Sequence, residues 1–355
     1  MTGFPKFSSS KIVTWILVRG TGATARPSCP NWLRYSGTAL RRGSRRSLKS
    51  HTASILSRMA QPQPILPRGA WDSHLHIVDP ERWPLADDAP YTPKKADLDA
   101  CLAFERSIGI DHICIIAMSI YGTDNRCSIA ALKRLSGKAR GIACIDPHTI
   151  TDAELDELHG VGFRGVRLNL RTRSQSLGAE EWPKLLRKYA ERLWRLDWVI
   201  QVFVSMEQYA SIAPVVPELG IKVVFDHLGH PEAGETPAMA QPGCAELYAV
   251  LAQNKNTYIK LSGLYRLEGV PGLEEHIKKL LKMVPDQIVW ASDWPHTAGS
   301  EHNPDGDPKA TQEFLTPDIP KFIAECVRWC EGDGDLMRKI WVDNPRRLWD
   351  YSFDD

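Results

Sequence analysis

Residues 222–229 read Lys-Val-Val-Phe-Asp-His-Leu-Gly, an apolar run of strand length that ends in an aspartate and a histidine. A second run, Ile-Cys-Ile-Ile at residues 113–116, is apolar throughout in the same way. A strand with one solvent-facing side alternates apolar and polar residues, whereas these two runs do not alternate. They are typical of a parallel sheet that helices cover on its outer face.

Eight runs of this kind occur after residue 70, and segments with helical signals separate them. Gly109 is expected to end one helix, while Thr151 and Glu154 form a capping box at the start of another that Gly160 should end. Eight alternating units in one chain fit an α/β fold with a single closed (β/α)8 barrel of the TIM type better than an open sheet. The predicted strands lie at 71–78, 112–119, 140–146, 165–170, 198–205, 222–228, 258–263 and 288–293.

The first 70 residues differ in charge from the rest of the chain. They contain twelve basic residues and no aspartate or glutamate, so the remainder carries 32 basic and 43 acidic residues. Such an acidic body argues against nucleic-acid binding, because it would repel phosphates. We therefore expect a basic, disordered leader at residues 1–67 and a barrel at residues 68–355.

The leader bears on where the protein is located. Its content of arginine and serine, without acidic residues, is typical of a mitochondrial transit peptide; the alternative is translation from Met59, which would leave the barrel complete. The apolar run at residues 12–18 is too short to span a bilayer, so no membrane insertion is expected. Eight scattered cysteines indicate a reduced intracellular protein, mitochondrial if the leader is made and cytoplasmic otherwise.

Polar residues that end apolar strands mark the candidate active site, because the chemistry of (β/α)8 barrels lies at the carboxyl ends of the strands. His74 and His76 alternate with Leu75 on the first strand, so both imidazoles point to one side, into the barrel. His227 ends the sixth strand and Asp293 ends the eighth. Two histidines so spaced can hold one metal ion or one carbonyl oxygen, and the other two residues strengthen the prediction of a site.

Five motifs accompany these residues: His-Leu-His at 74–76, Val-Val-Phe-Asp-His-Leu-Gly at 223–229, Ile-Lys-Leu-Ser-Gly at 259–263, Trp-Ala-Ser-Asp-Trp-Pro at 290–295 and Asn-Pro-Arg-Arg-Leu at 344–348. With them the chain resembles the amidohydrolase-related family over residues 70–351. Within that family it is most similar to the branch of 2-pyrone-4,6-dicarboxylate lactonases, through residues 121–126, 165–169 and 262–266. The resemblance implies an amidohydrolase-type barrel and a hydrolase that opens a small carboxylated lactone.

The resemblance also implies catalytic roles. Asp293 would activate water as a general base, and the histidines His74, His76 and His227 would polarise the lactone carbonyl. The lactonase branch is reported to work without a divalent metal, and the strand at 199–204 has neither a lysine nor a histidine to bridge two ions, so we expect no metal cofactor. The alternative is a decarboxylase of an aromatic or muconate-type acid that holds Zn²⁺ on the same four residues.

Arginines at strand ends of an acidic barrel favour an anionic substrate, because a guanidinium group can grip a carboxylate with two hydrogen bonds. Arg167 is the best candidate, since it stands inside an apolar strand and must be paired there; Arg171 could serve instead. The resemblance adds a serine and a tyrosine as substrate contacts. The predicted substrate-binding residues are Arg126, Arg167, Arg173, Arg266, Ser119 and Tyr91.

The expected partner is therefore a small anionic lactone, and the sequence does not indicate an oligomeric state. A non-catalytic barrel that only binds a carboxylated ligand is the remaining alternative. The intact set of three histidines and Asp293 argues against it, because a barrel that had lost catalysis would not need to keep them.

A protein that starts at Arg68 should be as stable and as active as the full chain, because no predicted strand precedes Trp71. Thermal unfolding and turnover of the two proteins test this expectation. Aggregation or loss of activity in the shorter protein would mean that residues before Arg68 pack on the barrel.

Overall fold

The computed structural model describes residues 66–169 and 177–352. The predicted leader lies outside the described residues except for its last two positions, and Arg171 and Arg173 lie outside them as well. The division of the chain near residue 68 therefore stays a prediction. In the described parts of the chain, no helix is both long enough and apolar enough to cross a membrane.

All the strands of the described residues pair in parallel, and most of them belong to one sheet. The strands are β1 Trp71–Leu75, β2 Thr92–Pro93, β3 His112–Ile116, β4 Ala139–Ala143, β5 Phe163–Asn169, β6 Val199–Phe203, β7 Val223–Phe225, β8 Thr257–Leu261, β9 Ile288–Trp290 and β10 Thr311–Gln312. Eight of them pair side by side in the order β1-β3-β4-β5-β6-β7-β8-β9, while β2 and β10 form a separate ladder. A parallel bridge between Leu75 in β1 and Trp294, which follows β9, joins the first and last strands of that order. This bridge closes the sheet, and the predicted (β/α)8 barrel is confirmed.

The observed strands are shorter than predicted at their carboxyl ends. The strand predicted at 112–119 ends at Ile116, and the strand predicted at 288–293 ends at Trp290. Beyond Trp290 the chain turns, and Asp293 has a φ of 63°. The predictions therefore extended the strands into the residues that form the mouth of the barrel.

Helices cover the barrel from outside, and their ends follow local sequence signals. Gly109 ends the first helix in the left-handed conformation, and the capping box of Thr151 and Glu154 is present, both as predicted. The prediction that Gly160 ends this second helix is wrong, because Gly162, with a φ of 119°, is the residue that leaves the helix. The helices are α1 Leu98–Ile108, α2 Arg126–Leu135, α3 Asp152–Val161, α4 Glu181–Leu193, α5 Tyr209–Ile212, α6 Cys244–Gln253, α7 Leu273–Met283, α8 Ile319–Trp329, α9 Gly334–Arg338 and α10 Asn344–Leu348.

Side chains that point into the barrel form an apolar layer beneath a polar one. Val224 and Tyr258 belong to a buried cluster that is separate from the core between the strands and the helices. Because side chains alternate along a strand, the residues two positions further on face the same way. These residues are Asp226 and Lys260, and both are buried. The polar layer therefore lies next to the carboxyl ends of the strands.

Residues 349–351 close the opposite end of the barrel, where the strands begin. Trp349 is fully buried in the apolar layer, and its indole Nε1 donates a hydrogen bond to Ser73 Oγ at 3.1 Å. Tyr351 packs edge-on against Trp71, with ring centroids 4.9 Å apart. The barrel thus has an apolar floor, and its polar groups concentrate at the other end.

Gly165 in β5 lies where a larger residue would collide with the neighbouring strand. A Cβ at this position would stand 2.4 Å from the backbone oxygen of Val199. Gly165→Ala should therefore lower the free energy of unfolding by roughly 1–3 kcal/mol, because the backbone of β6 must shift. Gly160→Ala in α3, where a Cβ meets nothing within 4 Å, should instead raise it by about 0.5–1 kcal/mol. Urea denaturation of both variants provides the measurement, and equal effects would contradict the close contact of β5 with β6.

Candidate active site

Three histidines and an aspartate meet at the carboxyl ends of β1, β7 and β9. The Nε2 atoms of His74 and His76 are 3.3 Å apart, and Asp293 Oδ1 lies 3.7 and 3.8 Å from them. Asp293 Oδ2 lies 3.7 Å from His227 Nε2. The structure therefore brings together, in a buried position, the four residues that the sequence predicted. These four residues are called the site cluster below.

Backbone hydrogen bonds place the first and last strands of the barrel side by side at the site cluster. The backbone N–H of Asp293 donates to the carbonyl oxygen of His74 at 2.9 Å. The buried carboxylate of Asp72 accepts from the backbone N–H groups of His74 (2.9 Å) and Ser292 (3.1 Å) through the same oxygen, Oδ1. His74 and Asp293 are thus neighbours because of backbone pairing, independently of their side chains.

The turns that carry the site cluster have unusual backbone conformations. His227, Leu228 and Asp293 have φ values of 48°, 58° and 63°. A non-glycine residue in this region costs roughly 1–2 kcal/mol, so its surroundings must hold it there. The carbonyl oxygen of Leu228 accepts a hydrogen bond from His276 Nε2 at 3.0 Å, and His276 Nδ1 in turn lies 2.5 Å from the hydroxyl of Tyr248. These buried groups stabilise the turn at His227.

The three histidines are uncharged at neutral pH. Burial lowers the pKa of His76 to about 3 and that of His227 to about 4, and burial together with a nearby lysine holds the pKa of His74 well below its usual value. On the side away from the shared carboxylate, His76 Nδ1 lies 2.8 Å from Ile116 O, and His227 Nδ1 lies 2.9 Å from Ser262 Oγ. Neutral imidazoles whose second nitrogen is engaged in this way are typical of metal-binding histidines.

Asp293 is an ionised carboxylate with one oxygen fixed by two donors. Burial alone would raise its pKa, but the charge of Arg266 holds the pKa of Asp293 well below its usual value. Oδ2 accepts hydrogen bonds from the hydroxyl of Tyr265 (2.7 Å) and from Arg266 Nε (2.8 Å). Oδ1 is left to face two of the histidines. Tyr265 was not predicted, because a tyrosine in a loop carries no recognisable signal of its own.

The site cluster has the dimensions of a mononuclear metal site. A tetrahedral zinc ion with bonds of about 2.0–2.1 Å places neighbouring ligand atoms roughly 3.3–3.4 Å apart. The spacings reported above run from 3.3 to 3.8 Å, and one donor atom each from His74, His227 and Asp293 lie within 4.8 Å of one another. Neutral histidines and an ionised carboxylate are the forms that bind a divalent metal. These residues therefore fit a zinc ion.

Four predicted substrate-binding residues line a small cavity beside the site cluster. The cavity has a volume of about 20 Å³, and its walls include Asp293 together with Tyr91, Ser119, Arg167 and Arg266. The side chain of Arg167 is only 5% exposed, and its Nη2 lies 3.3 Å from Asp226 Oδ2. A buried cationic group therefore shares one cavity with the site cluster.

Arg266 stands between this small cavity and a larger one of about 840 Å³. Both cavities have Arg266, Phe203 and Gly299 in their walls. Besides its bond to Asp293, Arg266 donates from Nη2 to the carbonyl oxygen of Thr297 at 2.8 Å. The sequence predicted Arg266 as a substrate contact, and in this structure the guanidinium group holds the carboxylate of the site cluster.

One of the predicted substrate-binding residues lies on the surface. The side chain of Arg126 is 60% exposed; it pairs with Asp124 at 2.6 Å and lies over the ring of Trp83 at 5.6 Å. These surface contacts account for Arg126, and its side chain does not line the small cavity beside the site cluster. Arg173 lies outside the described residues.

A buried polar layer next to the site cluster was missed in the sequence analysis. Asp226 Oδ2 accepts from Gln201 Nε2 at 2.9 Å, while Oδ1 lies 3.3 Å from Lys260 Nζ and 3.3 Å from His74 Nδ1. Burial would raise the pKa of Asp226, but Lys260 and its other neighbours hold it well below its usual value. Lys260 interrupts an apolar strand just as Arg167 does, so the argument applied to Arg167 could have found it.

Two named proteins are similar in sequence to this chain over most of its length. It is 28% identical over 303 residues to the 2-pyrone-4,6-dicarboxylate hydrolase of Comamonas testosteroni, a match that covers 82% of this chain and 93% of the relative. It is 31% identical over 291 residues to a 4-sulfomuconolactone hydrolase of Rhizobium radiobacter, with coverages of 80% and 90%. The predicted hydrolase class and the similarity to the lactonase branch are thereby confirmed.

The donor set of the site cluster corrects the expectation that the site has no metal. An amidohydrolase from Burkholderia multivorans with bound zinc has the same fold, with a TM-score of 0.55, 19% identity and coverage of 80% of this chain and 99% of that one. In the present chain, His74, His227 and Asp293 form a donor set that could hold a metal ion, and this finding overturns the prediction. The prediction relied on the strand at 199–204, whose lack of lysine and histidine argues against a second metal ion but not against a first.

The family comparison covers the whole barrel. A family model described as amidohydrolase matches residues 71–351, from the first residue of β1 to a position beyond α10. The predicted motifs at the strand ends all fall within this match. The chain therefore belongs to the amidohydrolase family.

Proposed function

We propose that the chain hydrolyses a small lactone that carries a carboxylate. The observation that carries this proposal is the position of Arg167, which lines the same small cavity as His227 and Asp293. A substrate carboxylate bound to Arg167 would bring a neighbouring ring ester within reach of the site cluster. The names of the two relatives, hydrolases of 2-pyrone-4,6-dicarboxylate and of 4-sulfomuconolactone, support a small anionic lactone.

Arg167 has a donor left for such a carboxylate. Its Nη2 pairs with Asp226, but its Nε is buried and has no hydrogen-bond partner among the described residues. A buried donor without an acceptor costs about 1–3 kcal/mol, which an acceptor on the substrate would offset. Tyr91, whose hydroxyl donates to Thr297 Oγ1 at 3.4 Å, and Ser119 line the same cavity and would contact the substrate carboxylate.

The site cluster would hold the metal ion, and the chain's own groups would move the proton. Zinc bound at such a cluster polarises a carbonyl group and makes water more acidic. Because Tyr265 and Arg266 fix Oδ2 of Asp293, Oδ1 is the oxygen placed to take a proton from the attacking water. The water oxygen bonds to the carbonyl carbon, the ring carbon–oxygen bond breaks, and the proton passes to the ring oxygen, which yields the open-chain acid.

The zinc-dependent decarboxylase considered above would use the same four residues. It is not favoured, because both relatives are named as lactone hydrolases. The two reactions also differ in their products, since a decarboxylase breaks a carbon–carbon bond and releases CO₂ whereas a lactonase only adds water. An assay that follows both products therefore separates them.

A panel of small lactones, headed by 2-pyrone-4,6-dicarboxylate, tests the proposal on the zinc-loaded protein. We expect a carboxylated lactone to be opened, which for the pyrone appears as loss of its absorbance, without release of CO₂. The variant Asp293→Asn should lower kcat at least about a hundredfold, because an amide cannot take the proton from water. Asp286→Asn, at the other end of the same strand and 57% exposed, is the matched control and should keep full activity. Turnover restricted to neutral lactones, or CO₂ release from an aromatic acid, would refute the proposal.

The role of Arg167 is tested by comparing two substrates. Arg167→Met should lower kcat/KM for a carboxylated lactone at least about a hundredfold, because the substrate carboxylate is left buried and unpaired. For an analogue without that carboxylate the decrease should be much smaller. Arg126→Met, on the surface beside Asp124, serves as the control and should change neither rate. If Arg167→Met affects both substrates equally, Arg167 supports the structure of the barrel and does not bind the substrate.

A further inference from the structure

A series of close polar contacts runs from a buried lysine through the site cluster to a backbone carbonyl. Lys260 Nζ lies 3.2 Å from His74 Nδ1. His74 Nε2 lies 3.3 Å from His76 Nε2, and His76 Nδ1 lies 2.8 Å from Ile116 O. Lys260, His74 and His76 are all buried, so solvent does not compete for these contacts.

The two groups at the ends of this series of contacts, Lys260 Nζ and Ile116 O, determine where its protons lie. An ammonium group can only donate and a carbonyl oxygen can only accept. His76 must therefore donate from Nδ1 to Ile116 O, which leaves its Nε2 as an acceptor. Lys260 donates to His74 Nδ1, so the single proton of neutral His74 is on Nε2, from where it donates to His76. One arrangement of protons thus satisfies every contact with two neutral imidazoles.

Asp226 is the other group within reach of His74 Nδ1. A hydrogen bond between the two would require the opposite tautomer of His74, with the proton on Nδ1. Its Oδ1 lies 3.3 Å from that nitrogen and 3.3 Å from Lys260 Nζ. Nevertheless, Oδ1 makes no hydrogen bond to any residue that the structure describes. The geometry at His74 therefore favours a bond from the lysine over a bond to the carboxylate.

We propose that Lys260 determines how tightly the site cluster holds its metal ion. To bind a metal, His74 must offer the lone pair of Nε2, the nitrogen that carries the proton while Lys260 donates to Nδ1. That proton can move to Nδ1 only when Lys260 gives up its contact with Nδ1 and Asp226 Oδ1 accepts in its place, so metal binding must break the contact between Lys260 and His74. The charge of Lys260 also repels a divalent cation. Lys260 acts through His74 without touching the metal and is therefore a positioning residue.

The affinity for zinc itself tests this proposal. Lys260→Met keeps a side chain of similar length and removes its charge, so Asp226 Oδ1 can accept the proton of His74 Nδ1 and leave Nε2 free for the metal. We expect zinc to bind roughly 10- to 100-fold more tightly than to the unaltered full-length protein, as measured by competition with a chromophoric chelator. Lys222→Met, which removes a lysine paired with Asp197 just before β7, is the matched control and should leave the affinity unchanged. Unchanged or weaker zinc binding by Lys260→Met would overturn the proposal.

The proton positions can also be measured in the unaltered protein, without the risk that a substitution prevents folding. Proton–nitrogen correlation spectra of the metal-free protein should show the proton of His74 on Nε2 and that of His76 on Nδ1. A proton on His74 Nδ1 would overturn the proposal whatever the variant shows. Neither measurement involves a lactone, so their outcome does not depend on the function proposed above.

Discussion

The hydrogen bonds between the first and last strands of the barrel are the constraint on which the site depends. Asp72 accepts from the backbone of both His74 and Ser292, and the backbone of Asp293 donates to that of His74. These bonds bring the only carboxylate of the site cluster to two of its histidines. A sheet that failed to close here would keep every other strand pair and still lose the donor set, because the two histidines of β1 would be separated from Asp293.

The polar layer shows how the barrel interior accommodates buried charge next to this donor set. Asp226 lies 3.3 Å from both Lys260 and Arg167, and Lys260 also lies over the ring of Trp349 at 5.4 Å. An isolated charge at such a depth would cost several kcal/mol, so the three ionised groups are stable only together. One carboxylate is therefore the counter-ion of both the arginine that we assign to the substrate and the lysine that we assign to the metal. The two roles that we propose, recognition of the substrate by Arg167 and control of metal affinity by Lys260, would be coupled through Asp226.

Sequence reasoning located the site cluster because the carboxyl ends of parallel strands meet at one mouth, whatever the loops do. The same rule gave no information about loop direction: Arg126 also follows a strand, but it stays on the surface with Asp124. Lys260 was missed because it points inward one layer away from the strand ends, and the rule concerns the strand ends alone. The metal was mispredicted because an argument that concerns two bridged ions was applied to a site whose dimensions suit one.

The closure of the barrel also sets the time at which the site can form during protein synthesis. The hydrogen-bonded pair of Asp72 and Ser292 is separated by 220 positions in the chain, and the pair of Ser73 and Trp349 at the floor by 276. Domains fold as units while the chain leaves the ribosome, so the histidines of the first strand emerge long before their carboxylate partner. A nascent chain exposes the two imidazoles of β1 without the other two residues of the site cluster. In the zinc-dependent reaction proposed above, loading of the ion would therefore be a late event, which follows the synthesis of the barrel.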